Sequence, residues 1–249
     1  MDYYKFGNGN RAMVMIPGLS INPVVPLGKL VENLYAVFKN DYTVYMIDRK
    51  APAVEGSTIE DLADDYADMI RELGLDKVYL FGTSQGGQIA MALAIKYPEL
   101  VEKLVLGSTS SKPTDLTWKS VGNWVRCAKE LKGEELNAAM TDNCYSENTL
   151  KTRRDAIIAA NADLSVEQLR QFVIKASPIL DFDCDDRLNE IKCPVIVIGS
   201  DGDEVFGGDA SRHIAEKLNC KLYMYGKEFG HCVYDEAPDY TIKLHELMA

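Results

Sequence analysis

Short runs of apolar, mostly β-branched residues recur along the chain at residues 12–16, 43–47, 78–81, 104–106, 194–198 and 221–225. Most are continuous rather than alternating, the pattern of strands buried on both faces of a parallel sheet. Between many of them, apolar residues return every three or four positions. Ile59, Leu62, Ala63, Tyr66, Ile70 and Leu73 form one such stripe. Ser57-Thr58-Ile59-Glu60 reads as the capping box that opens this helix, and Gly74 as the left-handed residue that ends it. Residues 85–96, 209–218 and 239–248 carry further helical patterns. Strand and helix in alternation predict an α/β fold, with a mostly parallel central sheet and helices on both faces.

One stretch breaks this rhythm. From Thr114 to Ser177 no strand-like run occurs, and two helical stripes stand out: Val121, Trp124, Val125, Ala128 and Leu131, then Val166, Leu169, Val173 and Ala176. Strand signal resumes only after Ile191-Lys192-Cys193-Pro194. The expected organisation is a core in two parts, residues 1–113 and 179–249, interrupted by an all-helical insertion over 114–178. There are no internal repeats or low-complexity segments.

The strongest local signal is Gly82-Thr83-Ser84-Gln85-Gly86-Gly87, after the strand run at 78–81 and at the start of a helix. A serine on so sharp a strand-to-helix turn has its hydroxyl lifted clear of the sheet, and small neighbours permit the turn. A glycine-rich turn is the bland alternative; the strand-then-helix setting favours a nucleophile at Ser84. A serine nucleophile needs a base, and the chain has three histidines. His213 and His245 fall in helical patterns and read as surface residues. His231 lies in the loop after the run at 221–225, at the sheet edge where Ser84 also lies, and imidazole is poised for proton transfer near neutrality. A carboxylate must orient that base. In the loop after residues 194–198, Asp201, Asp203 and Glu204 compete for the role, and each preserves the order serine, acid, histidine. Two backbone N–H groups should meet the developing oxyanion. Gln85 offers one at its helix start. The turn Pro17-Gly18-Leu19-Ser20 offers the other, with Leu19 preferred and Ser20 the fallback.

Composition narrows the partners. With 27 basic against 38 acidic residues the net charge is −11, which disfavours nucleic acid and anionic membrane surfaces and leaves a small-molecule substrate. The six cysteines are scattered without metal-ligand spacing, and the first residues lack the pattern of a secretory segment. No window approaches the roughly 18 apolar residues of a membrane span. The expectation is a reduced, cytoplasmic protein that uses no metal and no organic cofactor. Oligomeric state leaves no signal.

The chain resembles the α/β-hydrolase superfamily along nearly its whole length, most specifically at three places. Gly82 to Gly87 resembles the family's nucleophile elbow, Gly199 to Phe206 its acid loop, and Phe229-Gly230-His231 through Pro238 its histidine loop. The alignment of the acid loop favours Asp203 over Asp201. The helical insertion corresponds to the family's cap. The resemblance implies a serine hydrolase with the triad Ser84, Asp203 and His231, first of all a carboxylesterase. Acyl transfer, C–C bond hydrolysis, aminopeptidase activity and a non-catalytic binding role on the same fold are the alternatives. Three departures stand out: Pro17-Gly18 replaces the usual His-Gly, Arg49-Lys50-Ala51-Pro52 lacks the family's glycines, and the region before Ala12 is short.

Four weaker signals take blander readings. Gly7 to Ala12 imitates a dinucleotide fingerprint but precedes a strand, so a hairpin turn is expected. Asp181 to Asp186 has the alternating acids of a calcium loop without its glycine, and reads as a solvated connector. Cys232 reads as a structural thiol facing away from the site. Trp118 and Trp124 read as cap core.

Overall fold

The structure, a computed structural model, describes residues 1–249. Its sheet has seven strands: β1 (Tyr3–Phe6), β2 (Arg11–Ile16), β3 (Tyr42–Ile47), β4 (Val78–Thr83), β5 (Val101–Gly107), β6 (Val195–Ser200) and β7 (Lys221–Tyr225). They lie in the order β1-β3-β2-β4-β5-β6-β7. Only β1 is antiparallel, pairing Tyr3 with Ile47 and Phe6 with Val44 of β3. The hairpin expected at Gly7–Asn10 is therefore absent, because β1 bonds to β3 while β2 sits on the far side of β3.

The helices are α1 (Gly28–Leu34), α2 (Ile59–Glu72), α3 (Gln85–Lys96), α4 (Asp115–Lys129), α5 (Gly133–Cys144), α6 (Glu147–Ala159), α7 (Val166–Ala176), α8 (Pro178–Asp181), α9 (Gly208–Leu218), α10 (Val233–Glu236) and α11 (Tyr240–Met248). Because side chains alternate along a strand, each central strand feeds two cores. Val14 and Ile16 pack with Ala63, Tyr66 and Ile70 of α2, Ile89 and Leu93 of α3, and Ile214 of α9. Met13 and Met15 face the opposite way, onto Tyr35, Phe38, and Tyr240, Leu244 and Met248 of α11. The helix α2 starts one residue later than its sequence pattern predicts. Thr58 accepts from Asp61 N–H and Asp61 caps Thr58 in return, so Ser57 and Glu60 are not the box.

Residues 115–181 form the helices α4 to α8 and no strand. Their own core joins Val121, Trp124, Val125 and Ala128 of α4 to Leu136, Leu169, Phe172 and Ala176, and it continues into Val205 and Phe206 of the β6–α9 loop. The cap therefore rests directly on the loop that carries the candidate acid. Trp124 is buried and donates from Nε1 to Asn143 Oδ1 at 3.0 Å. Trp118, expected in the same core, is 55% exposed, being off the stripe that faces α5 and α7.

The acidic connector is not solvated throughout. Asp185 is buried and accepts from Ser111 Oγ at 2.8 Å and Lys112 Nζ at 3.0 Å, with His213 Nε2 at 2.6 Å. His213 is thus a half-buried partner of Asp185 rather than a free surface residue. Burial alone would raise the Asp185 carboxyl; the hydrogen bonds from Lys112, Ser111 and His213 reverse this and hold it far below the usual carboxylate range. No helix is long and apolar enough to cross a membrane.

Candidate active site

The strands β4 and β6 each run two residues past their apolar runs, and so carry the chain out at the C-terminal edge of the sheet. At the end of β4, Ser84 has φ 55° and ψ −126°, a left-handed backbone that costs a non-glycine residue on the order of 1–3 kcal/mol. The neighbours hold it there. Ser84 N–H donates to Gly107 O at 2.8 Å, extending the β4–β5 ladder into the turn. Thr109 Oγ1 donates to Ser84 O at 2.7 Å. Close approach of the β2 turn demands glycine: a Cβ on Gly86 would fall 2.1 Å from Ile16 O, and one on Gly18 would lie 3.1 Å from Ser84 Cβ.

His231 and Asp203 meet across the loops after β7 and β6. Both are 4% exposed, and His231 Nδ1 lies 2.9 Å from Asp203 Oδ2. Asp203 Oδ1 accepts from Val205 N at 2.8 Å and Phe206 N at 3.0 Å. Burial pushes the Asp203 carboxyl up, but the His231 charge and hydrogen bond and these two N–H groups outweigh it, leaving the carboxyl below its ordinary value. Burial likewise pushes the imidazole down, and the Asp203 charge and bond more than reverse it, so the His231 pKa stands above 6.5. The Phe206 ring meets the imidazole edge-to-face at 5.5 Å and further fixes its plane. Asp201 and Glu204 do not reach His231: Asp201 is exposed and pairs with Arg212. Ser84 Oγ and His231 Nε2 make no hydrogen bond to each other, a bond that in ligand-free sites tightens when substrate arrives.

Neither Leu19 N–H nor Gln85 N–H is taken by any backbone acceptor. Gln85 opens α3, where free donors and the helix dipole favour an anion. On the other side of the nucleophile, Arg49 donates to Pro17 O at 2.7 Å and Gly18 O at 3.1 Å. A peptide group is planar and trans, so fixing Gly18 O fixes Leu19 N–H in the opposite direction. The sequence pattern gives no role to Arg49, nor to Lys175, which holds the next carbonyls of the same turn. Both act on backbone atoms of segments remote in sequence, and no motif records such contacts.

Two adjoining cavities flank Leu19. One of about 530 Å³ runs between the β2 turn and α5–α6, lined by Val24, Met140, Cys144, Tyr145, Ile157 and Cys232 among others. The second, about 310 Å³, includes Gly18, Leu30, Tyr35, Phe81, Thr83 and Tyr145. Their linings reach the residues next to Ser84 and His231, namely Thr83 and Cys232. Cys232, a buried thiol, lines the first of these cavities, with Sγ 3.2 Å from Tyr234 Oη. Trp118 lines neither cavity.

Residues 11–126 match the family model described as alpha/beta hydrolase fold. The chain is 28% identical over 244 residues to a 2-hydroxy-6-oxononadienedioate/2-hydroxy-6-oxononatrienedioate hydrolase of Burkholderia vietnamiensis, covering 90% of this chain and 82% of the relative. It is 26% identical over 170 residues to the "Putative carbamate hydrolase RutD" of Caulobacter sp. (strain K31); that match covers 65% of this chain and 61% of the relative. Among solved structures, an alpha/beta hydrolase enzyme from a Medee basin deep-sea metagenome library superposes with a TM-score of 0.85 at 19% identity, over 99% of this chain and 93% of the other.

Proposed function

We propose that this chain, an α/β-hydrolase-fold enzyme with a helical cap, hydrolyses a small molecule at a carbonyl carbon, with Ser84 as nucleophile, His231 as base and Asp203 as the acid that orients it. The observation that carries the reading is the buried His231–Asp203 pair, 2.9 Å apart, on the same sheet edge as the strained Ser84 turn. Asp203 keeps the proton on Nδ1, which leaves the Nε2 lone pair for the Ser84 hydroxyl. Attack forms a tetrahedral oxyanion, met by the N–H groups of Leu19 and Gln85. His231 then passes the proton to the departing group, and water activated by the same imidazole releases the acid from Ser84. In this reading residues 1–113 and 179–249 supply the chemistry and 114–178 the cover over the substrate.

For the bond broken, we rank a carbon–carbon bond beside a ketone first. One similarity that spans most of both chains, at 28% identity, is to a hydrolase named for a 2-hydroxy-6-oxo dioate; another, at 25%, is to the "Putative esterase/lipase" of Haemophilus influenzae. In that reaction the group leaving Ser84's carbonyl is a resonance-stabilised carbanion, protonated through His231, and water supplies the hydroxyl of the acid. A simple carboxylesterase, the first expectation from sequence, becomes the second reading. One observation favours it: the two cavities beside Leu19 carry no lysine, arginine or histidine in their linings. A dioate would find no counter-charge there, whereas an apolar ester would fit.

The test compares kcat/KM for a conjugated 1,5-diketone, followed by loss of its absorbance, with p-nitrophenyl esters of graded chain length. The first reading expects the diketone to exceed the best ester by about tenfold or more. The reverse order would establish the esterase reading in its place.

A further inference from the structure

One cap residue is tied to both segments that carry the assigned oxyanion donors. Lys175, in the last turn of α7, donates from Nζ to Ser20 O at 2.6 Å and Ile21 O at 2.8 Å. The carbonyl of the same residue accepts a bond from Gln85 Nε2. Leu19 is thereby bracketed: Arg49, from the core, fixes the carbonyl of Gly18 before it, and Lys175, from the cap, fixes the carbonyls of Ser20 and Ile21 after it. Gln168 of α7 adds a contact to the same turn, donating from Nε2 to Asn22 Oδ1 at 2.9 Å.

Cap packing alone does not account for this lysine. Its ammonium is half-buried and no carboxylate pairs with it. Burial, followed by the charge of Arg49, pushes its pKa down to about 8. A methionine would fill similar volume without the desolvation cost of a charge. What the charge gains is two backbone carbonyls of the β2 turn.

We propose that Lys175 is a positioning residue for hydrolysis, coupling the seating of the cap to the assembly of the oxyanion hole. With α7 down, the β2 turn is held from both sides and the Gln85 side chain is anchored. With α7 lifted, both ties to residue 175 are lost together, and the turn that carries Leu19 N–H is braced on the Arg49 side alone. The hole is then fully braced only when the cap covers the substrate, a device that weakens transition-state stabilisation in an open, wet site. This inference rests on the reading of Ser84, Leu19 and Gln85 given above.

The test uses the full-length protein and p-nitrophenyl esters, with thermal unfolding beside steady-state kinetics. Lys175→Met is expected to lower kcat by about 10- to 100-fold while KM stays within about threefold, since a donor misplaced by about 1 Å costs that order of rate. Lys175→Arg, a cation of similar reach, should recover kcat to within about fivefold of the parent. Gln85→Met keeps the backbone N–H but loses the tie to α7, and should also lower kcat by about fivefold or more. The proposal is overturned if Lys175→Met folds and keeps kcat within about twofold, if its loss lies only in KM, or if arginine restores nothing. Should Lys175→Met not fold, an unchanged kcat in Gln85→Met overturns it. Ser84→Ala run in parallel separates the two claims: an active alanine variant removes the parent reading, whereas an inactive one beside a fully active Lys175→Met removes this inference alone.

Discussion

Replacing Asp203 by asparagine changes one atom at the centre of the site. The new amide would keep an oxygen for the Val205 and Phe206 N–H groups, which lie 2.8 and 3.0 Å from Asp203 Oδ1, so the loop under the cap should hold. The atom facing His231 Nδ1 at 2.9 Å becomes an amide NH₂, a donor where an acceptor stood. To accept from it, the imidazole must move its proton to Nε2, which then cannot take the Ser84 proton. The negative charge that stabilises imidazolium is lost as well. Both partners are buried, so water cannot substitute. A wrong tautomer in such a triad costs about 10²- to 10⁴-fold in kcat, or about 3–5 kcal/mol of transition-state stabilisation. Asp201→Asn is the matched control: it breaks only a solvent-facing pair with Arg212, worth about 0–1 kcal/mol, and should leave kcat within about twofold. Steady-state hydrolysis of an activated ester by the two variants, with unfolding temperatures, decides the point. If Asp203→Asn folds and stays within about threefold of the parent, or if Asp201→Asn is the more damaging, the acid has been misassigned.

Two further outcomes follow from the same geometry. His231 must be neutral to accept a proton, and its pKa is raised above 6.5, so kcat/KM should fall as pH drops through a midpoint above 6.5; a pH profile whose acid limb lies below 6.5 contradicts the Asp203 coupling. Tyr145 lines both cavities, so Tyr145→Ala should change the kcat/KM ratio between short and long acyl esters by roughly tenfold while phosphonate labelling of Ser84 keeps its rate; an unchanged ratio would exclude Tyr145 as a specificity element.

What the sequence made legible was whatever depends on local pattern. The apolar runs located six of the seven strands, and the glycines around Ser84 marked its turn, because a strained backbone leaves a compositional trace. Pairings between distant segments left none. The strand β1 was hidden in a four-residue stretch whose partner is β3, so the glycines at 7 and 9 suggested a hairpin. Ser57 and Thr58 are both good caps, and only the tertiary position of α2 selects the second. Asp185 looks solvated among its acidic neighbours until Ser111, Lys112 and His213 converge on it. Trp118 and Trp124 are six residues apart on one helix, and a shift of that size rotates one of them to solvent. The candidate triad was legible from three loops after strands; Arg49 and Lys175, which grip backbone carbonyls, were not.

The central claim is that Ser84 is the nucleophile, and one labelling measurement tests it most directly. The protein is treated with a fluorophosphonate, digested, and the modified residue located by mass spectrometry, beside kinetics of Ser84→Ala on an activated ester. The strained turn and the free N–H groups of Leu19 and Gln85 predict a single adduct on Ser84, no labelling of the alanine variant, and a fall in kcat of about 10³-fold or more with the fold intact. An adduct on another residue, or full activity in Ser84→Ala, would contradict the account.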